Sequence, residues 1–259
     1  MKKLALVLAA APIALAACGG SSTLKVDPVA YVKHAASRTV ATSEHMAMTG
    51  SVTVDGQPGS LQMSMDGDVQ NSPLKANLEY AMTAPGTTLK FSEIFDGTTI
   101  YVRSPRVGLP AGKTWSKLDL AAFSKSAHVN FLQSMSESPT QALQRLKGAG
   151  TVTQVGTETI RGVETTHFQV TNIDLSKLTK GAKLSNPDAV RFGAIDVWVG
   201  NDNGYVYRES VPLTLTVQGQ TGTMTMQVDL SNFGEAVHVT VPPAKDTVDM
   251  TKLIKEHKA

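Results

Sequence analysis

The chain has 259 residues, with 24 Lys and Arg against 22 Asp and Glu. The excess of +2 is Lys2 and Lys3, so the remainder is neutral and lacks the basic face that nucleic-acid binding requires. Cys18 is the single cysteine, which excludes an internal disulfide and leaves an apolar core to hold the fold.

Met1-Lys2-Lys3 is basic, Leu4 to Leu15 is apolar apart from Pro12, and Leu15-Ala16-Ala17-Cys18 closes the segment. Basic, apolar and then small is the order of an export signal. The apolar run is shorter than the about 20 residues that span a bilayer. Leu15-Ala16-Ala17-Cys18 resembles the bacterial lipobox. It predicts cleavage before Cys18, acylation of that thiol and anchoring to the extracytoplasmic face of the cell membrane. Residues 1–17 then read as a lipoprotein signal peptide, and 18–25 as a lipidated tether softened by Gly19-Gly20-Ser21-Ser22-Thr23. Residues 26–259 read as one domain.

Asp27-Pro28 pairs a capping residue with a proline suited to the first helical turn. Val29, Val32, Ala36 and Val40 continue at helical spacing. Period-two alternation follows: Met46 to Val54, Leu61 to Met65, and Leu74 to Met82, with turns at Asp55-Gly56 and Ala84-Pro85-Gly86. Leu89-Lys90-Phe91 opens another strand, and Asp96-Gly97 turns the chain into Thr99-Ile100-Tyr101-Val102. Trp115 to Leu118 is a further short strand.

Asp119 caps a helix carrying Leu120, Phe123 and Ala127, and Phe131, Leu132 and Met135 extend the apolar signal. Ser138-Pro139-Thr140-Gln141 is a capping box leading to Ala142, Leu143 and Leu146, with Gly148 as the stop. Strands resume at Thr151 to Glu158 and Glu164 to Asn172, with a short helix at Leu175 to Leu178. Ile195 to Val199, the turn Asp202-Asn203-Gly204, then Tyr205 to Arg208, Leu213 to Val217 and Met224 to Val228 complete the pattern. Pro242-Pro243 precedes a last apolar segment, Val248 to Ile254.

Short turns between about ten or eleven strands imply one antiparallel sheet, and a sheet that large must curl. The expected class is α+β: a curved half-barrel wrapped around helices, with room for an apolar space between the layers.

Several segments imitate chemistry. Gly108-Leu109-Pro110-Ala111-Gly112-Lys113-Thr114 has three residues between its glycines where a phosphate loop needs four, and it leads into a strand. His34, His45, His128, His167, His238 and His257 are scattered without metal-ligand spacing. Asp66-Gly67-Asp68 and Asn201-Asp202-Asn203-Gly204 suggest calcium loops, lack the closing Glu, and read as turns. No nucleophile elbow is present. The reading is therefore not an enzyme, with no cofactor and no metal.

Met46, Met48, Met63, Met65, Met82, Met224 and Met226 all fall on apolar strand faces. Strand cores usually take β-branched side chains, whereas methionine adapts to irregular partners. Such a face lines a ligand cavity or fills a core. With the other in-phase residues Leu78, Tyr80, Phe91, Val197, Leu213 and Leu215, these methionines are the candidate cavity lining.

The layout resembles the LolA/LolB-type half-barrel, and more closely the LppX/LprG-type lipoproteins of actinobacteria. The lipobox, the helix after Asp27-Pro28 and the Asp96-Gly97-Thr98-Thr99-Ile100-Tyr101-Val102 hairpin carry it. The Trp115 strand, Gly162-Val163-Glu164-Thr165-Thr166-His167-Phe168 and the Val241-Pro242-Pro243-Ala244 tail also fit. The resemblance implies a fold that holds acyl chains of a lipid or glycolipid and carries them across the envelope. Its implied partners are the membrane, that ligand, and an envelope transporter or other envelope protein. A related stress-sensing branch uses the fold as a scaffold that binds another protein instead.

Overall fold

The computed structural model describes residues 27–105, 108–127, 138–178, 189–217 and 219–251. The lipobox with Cys18, the apolar positions Phe131, Leu132 and Met135, and the histidines His128 and His257 lie outside them.

Helix α1 (Pro28–Val40) begins where Asp27 Oδ1 accepts from the Val29 amide at 3.0 Å. Its buried face is Val32, Ala35, Ala36 and Thr39, with Val29 and Val40 half-buried at the ends. The Thr39 hydroxyl donates to the Ala35 carbonyl and accepts from the Val206 amide, both at 2.9 Å, which ties the helix to the sheet.

The strands are β1 (Glu44–Val54), β2 (Ser60–Asn71), β3 (Leu74–Ala84), β4 (Thr87–Asp96), β5 (Thr99–Arg103) and β6 (Trp115–Asp119), then β7 (Thr151–Ile160) and β8 (Val163–Thr171). β9 (Val190–Phe192), β10 (Ile195–Gly200), β11 (Val206–Val217), β12 (Gln220–Ser231) and β13 (Thr247–Asp249) follow. They form one open, curved 13-stranded sheet in the order β13-β6-β5-β4-β3-β2-β1-β12-β11-β10-β8-β7, with β9 against β11. Every pairing is antiparallel except β13 with β6. The sheet is two meanders joined where the chain returns: β12 lies beside β1, with Met48 opposite Val228.

The sequence divides Tyr205–Arg208 from Leu213–Val217, but the structure makes them one strand. Pro212, between them, lacks an amide hydrogen. Its carbonyl faces Gly193, from whose amide it accepts at 2.8 Å, so the missing donor points at the gap where β9 gives way to β10. A proline there breaks no ladder bond. β9 and β13 are too short to show periodicity. A second correction concerns Asp66-Gly67-Asp68, which is not a turn but lies inside β2. Lys113 and Pro110 close a turn before β6, as expected for the segment that imitates a phosphate loop.

Among the described residues, three short helices follow the first meander and interrupt the second. α2 (Leu120–Ala127) starts with Asp119 Oδ1 accepting from Ala122 N at 3.0 Å. α3 (Pro139–Leu143) starts with Ser138 Oγ accepting from Gln141 N at 3.2 Å. α4 spans Leu175–Leu178. α1 and α3 pack on each other; α1 also meets β7, β10 and β11, and α3 meets β11. Phe168, Val170, Val197, Val199, Val206, Leu143 and Leu146 are buried in that half.

Candidate functional site

The same sheet face continues across β12, β1, β2, β3 and β4. Register sets its rows. One row runs Leu230, Met46, Gly67, Leu78, Glu93; the next runs Val228, Met48, Met65, Tyr80, Phe91. Gly67 presents no side chain between Met46 and Leu78, which leaves a depression in the first row. It cannot carry one: a Cβ there would lie 1.9 Å from the Asn77 carbonyl oxygen.

A cavity of about 240 Å³ opens over these rows. Met46, Met48, Met65, Met226, Val69, Leu74, Ala76, Leu78, Phe95 and Val228 form its apolar wall, with Asn71, Tyr80, Glu93 and Ser138 as the polar members. For scale, an engineered cavity of about 150 Å³ holds benzene.

Of the residues expected from the sequence, Met46, Met48, Met65, Leu78, Tyr80 and Met226 are brought together here. The others lie elsewhere. Met63 lays its methyl group over Gly50, one row away. Met82 pairs with Met63 and Leu89 in that same row. Phe91 backs the wall, its ring stacked on Tyr80 at 4.5 Å between centroids. Met224, Leu213 and Leu215 stand nearer the β11–β12 turn and are half-buried. Val197 is fully buried in the half of the sheet that α1 covers.

Sequence reading missed Val69, because Gly67 interrupts the alternation before it. It also missed Glu93, although Glu93 is in phase with Leu89, Phe91 and Phe95; an acid in an apolar phase was the available signal. Glu93 lines the cavity and hydrogen-bonds the Tyr80 hydroxyl. Burial raises its carboxyl above the usual range, and the Tyr80 bond pulls the other way. Burial, and then the Glu93 charge, hold the Tyr80 hydroxyl well above its ordinary value.

Two further acids sit on this face. Glu44 and Glu209 are 2% and 1% exposed. Glu209 Oε1 accepts from the Thr140 hydroxyl at 2.5 Å, while Glu209 Oε2 and both Glu44 oxygens lack a partner among the described residues. Burial, with repulsion from Glu209 second, pushes Glu44 up to about 8. Burial pushes Glu209 up to about 7, against the Thr140 bond.

The opposite face is polar. His45 Nδ1 is 2.9 Å from Asp68 and its Nε2 is 3.4 Å from Asp66. His167 lies between Glu158 at 3.0 Å and Asp196 at 2.9 Å, stacked on Trp198. Arg208 Nη2 donates to Asp229 at 2.9 Å. Among the described residues no group of His, Cys, Asp and Glu is placed to hold a metal ion. No helix of these residues is long and apolar enough to cross a membrane.

No known family profile matches the chain. A 31.2 kDa Streptomyces griseus protein encoded between rplA and rplJ is 31% identical over 163 residues, which is 56% of this chain and 51% of that protein. A Streptomyces coelicolor protein provisionally described as a lipoprotein is 31% identical over 153 residues, 58% of this chain and 46% of that one. The chain thus spans about half the length of these relatives. Among solved structures, the Mycobacterium tuberculosis lipoprotein LppX is similar at 24% identity, over 83% of this chain and 100% of that one, with a TM-score of 0.47. LprF from Mycobacterium bovis is similar at 18% identity, over 84% of this chain and 97% of that one, with a TM-score of 0.49. LppX is the type of protein that the sequence layout resembles.

Proposed function

We propose that this chain is an exported, lipid-anchored protein that binds acyl chains on the methionine-lined face of its sheet. The observation that carries this is the cavity. Its wall is apolar over β12, β1, β2 and β3, and four of its members are methionines. Unbranched thioether side chains re-pack around a chain whose length and bends vary. Beyond the cavity, Met224, Leu213 and Leu215 are half-buried at register positions of the same face, so an acyl chain has further apolar surface to follow.

Each buried methylene contributes about 0.8 kcal/mol, so roughly ten of them supply about 8 kcal/mol, the micromolar range. Binding of that strength suits a ligand that is picked up and released. The role is binding or transfer rather than catalysis. The provisional lipoprotein description of the Streptomyces coelicolor relative agrees with an anchor at Cys18.

Native mass spectrometry of the purified chain tests both parts. The expected spectrum shows a covalent acyl-glyceryl mass on Cys18 and a second, non-covalent lipid mass that is lost on unfolding. A bare polypeptide mass contradicts the anchor, and absence of the releasable mass contradicts lipid binding.

A further inference from the structure

Among the described residues the cavity wall carries one carboxyl. Glu93 stands between Leu78 on β3 and Val102 on β5, in a row that is otherwise apolar from Leu230 onward. Its partner among the described residues is the Tyr80 hydroxyl, and Tyr80 is itself held by its stack on Phe91. A carboxylate offers about four acceptor sites and, when ionised, donates nothing. One phenol leaves acceptor capacity for a further donor at the cavity wall, and an apolar occupant that strips water from it without supplying a donor is costly. The other polar members of the wall are engaged: Asn71 donates to the Val40 carbonyl at 3.2 Å, and Ser138 accepts from Gln141.

We infer that the cavity selects an acyl lipid with a hydroxyl close to its buried chain, and that the Glu93 carboxylate accepts the hydrogen bond from that hydroxyl. This rests on the acyl-binding reading above. A plain alkyl chain packed against Glu93 takes water from the carboxyl and offers no donor in its place. A chain with a hydroxyl at that depth replaces the water with a charge-assisted bond. Tyr80 positions the carboxylate, so the acceptor is aimed before the ligand arrives. The hydroxyl has two chemical sources: the acyl chain itself, or a glycerol next to the ester.

The test uses the full chain at pH 8 and displacement of a fluorescent fatty acid by three esters of one chain length. These are methyl palmitate, methyl 3-hydroxypalmitate and 1-monopalmitoylglycerol. The wild type should bind at least one hydroxylated ester about tenfold more tightly than methyl palmitate. The preferred one identifies the source. Glu93→Leu should bring the ratio to about one while methyl palmitate still binds, and Glu93→Gln, which keeps an acceptor oxygen but loses the charge, should show a preference clearly below that of the wild type. Equal affinities in the wild type, or a preference that survives in Glu93→Leu, overturn the selection and leave acyl binding standing. Wild type that binds none of the three overturns both. Should Glu93→Leu fail to fold, the wild-type ratio and the Glu93→Gln variant decide.

Discussion

Glu44 and Glu209 occupy places where alternation expects an apolar side chain, and their consequence is measurable. Both carboxyls are buried, and burial favours the neutral acid. Their folded values, about 8 and about 7, lie above the ordinary 4.5. A group raised on folding contributes its full stability below its unfolded value, and loses it as pH climbs through the folded one. The chain should therefore weaken between about pH 5 and pH 8, by up to about 1.4 kcal/mol per pH unit for each acid. Glu209→Gln keeps an acceptor for the Thr140 hydroxyl and removes the titration. Its unfolding midpoint should gain on the wild type as pH rises through this window, and exceed it at pH 8. A constant offset between pH 5 and pH 8 would show that Glu209 does not titrate with folding. Phase marks both as acids among apolar neighbours, but only the helix lying over that half of the sheet shows that they are buried.

Among the elements, β2 shows best what periodicity reveals and conceals. Leu61, Met63 and Met65 announce a strand, and the structure extends it to Asn71. The extension passes through Gly67, whose φ of 156° and close approach to Asn77 leave no room for a Cβ. A glycine flanked by two aspartates has the composition of a turn, so alternation alone ends the strand there. Gly67→Ala drives its Cβ into the Asn77 carbonyl and forces the β2–β3 ladder apart at this row. It should cost about 1–3 kcal/mol, read as a lower denaturant midpoint with an unchanged slope. An unchanged midpoint would mean that the two strands separate freely at this row. β11 teaches the converse. Pro212 divides it in sequence yet not in space, because its missing donor faces a gap between two other strands. Caps, by contrast, are local. Asp27, Asp119 and Ser138 were legible because the bond each makes is to an amide two or three residues on.

For the whole molecule, alternation and turn residues were enough to give a curved antiparallel sheet with helices on one face. They did not say which half of that face the helices would cover. That follows from side-chain fit between α1, α3 and β7 to β11, which is non-local. Hence the candidate lining divided: Met46, Met48, Met65 and Met226 border a cavity, while Val197 is sealed in the half that α1 covers. The division supplies a matched pair for the central claim. Met226 and Met82 are both half-buried on the same face, but only Met226 lines the cavity. The most direct measurement is titration of the wild type, Met226→Trp and Met82→Trp with a fluorescent fatty acid, with a melting curve on each protein. The wild type should bind saturably, Met226→Trp should lose at least about tenfold in affinity with its melting point held, and Met82→Trp should bind near the wild-type level. If the wild type does not bind and Met226→Trp unfolds more easily by about 1–3 kcal/mol, the face is a close-packed core and the acyl-binding account is wrong.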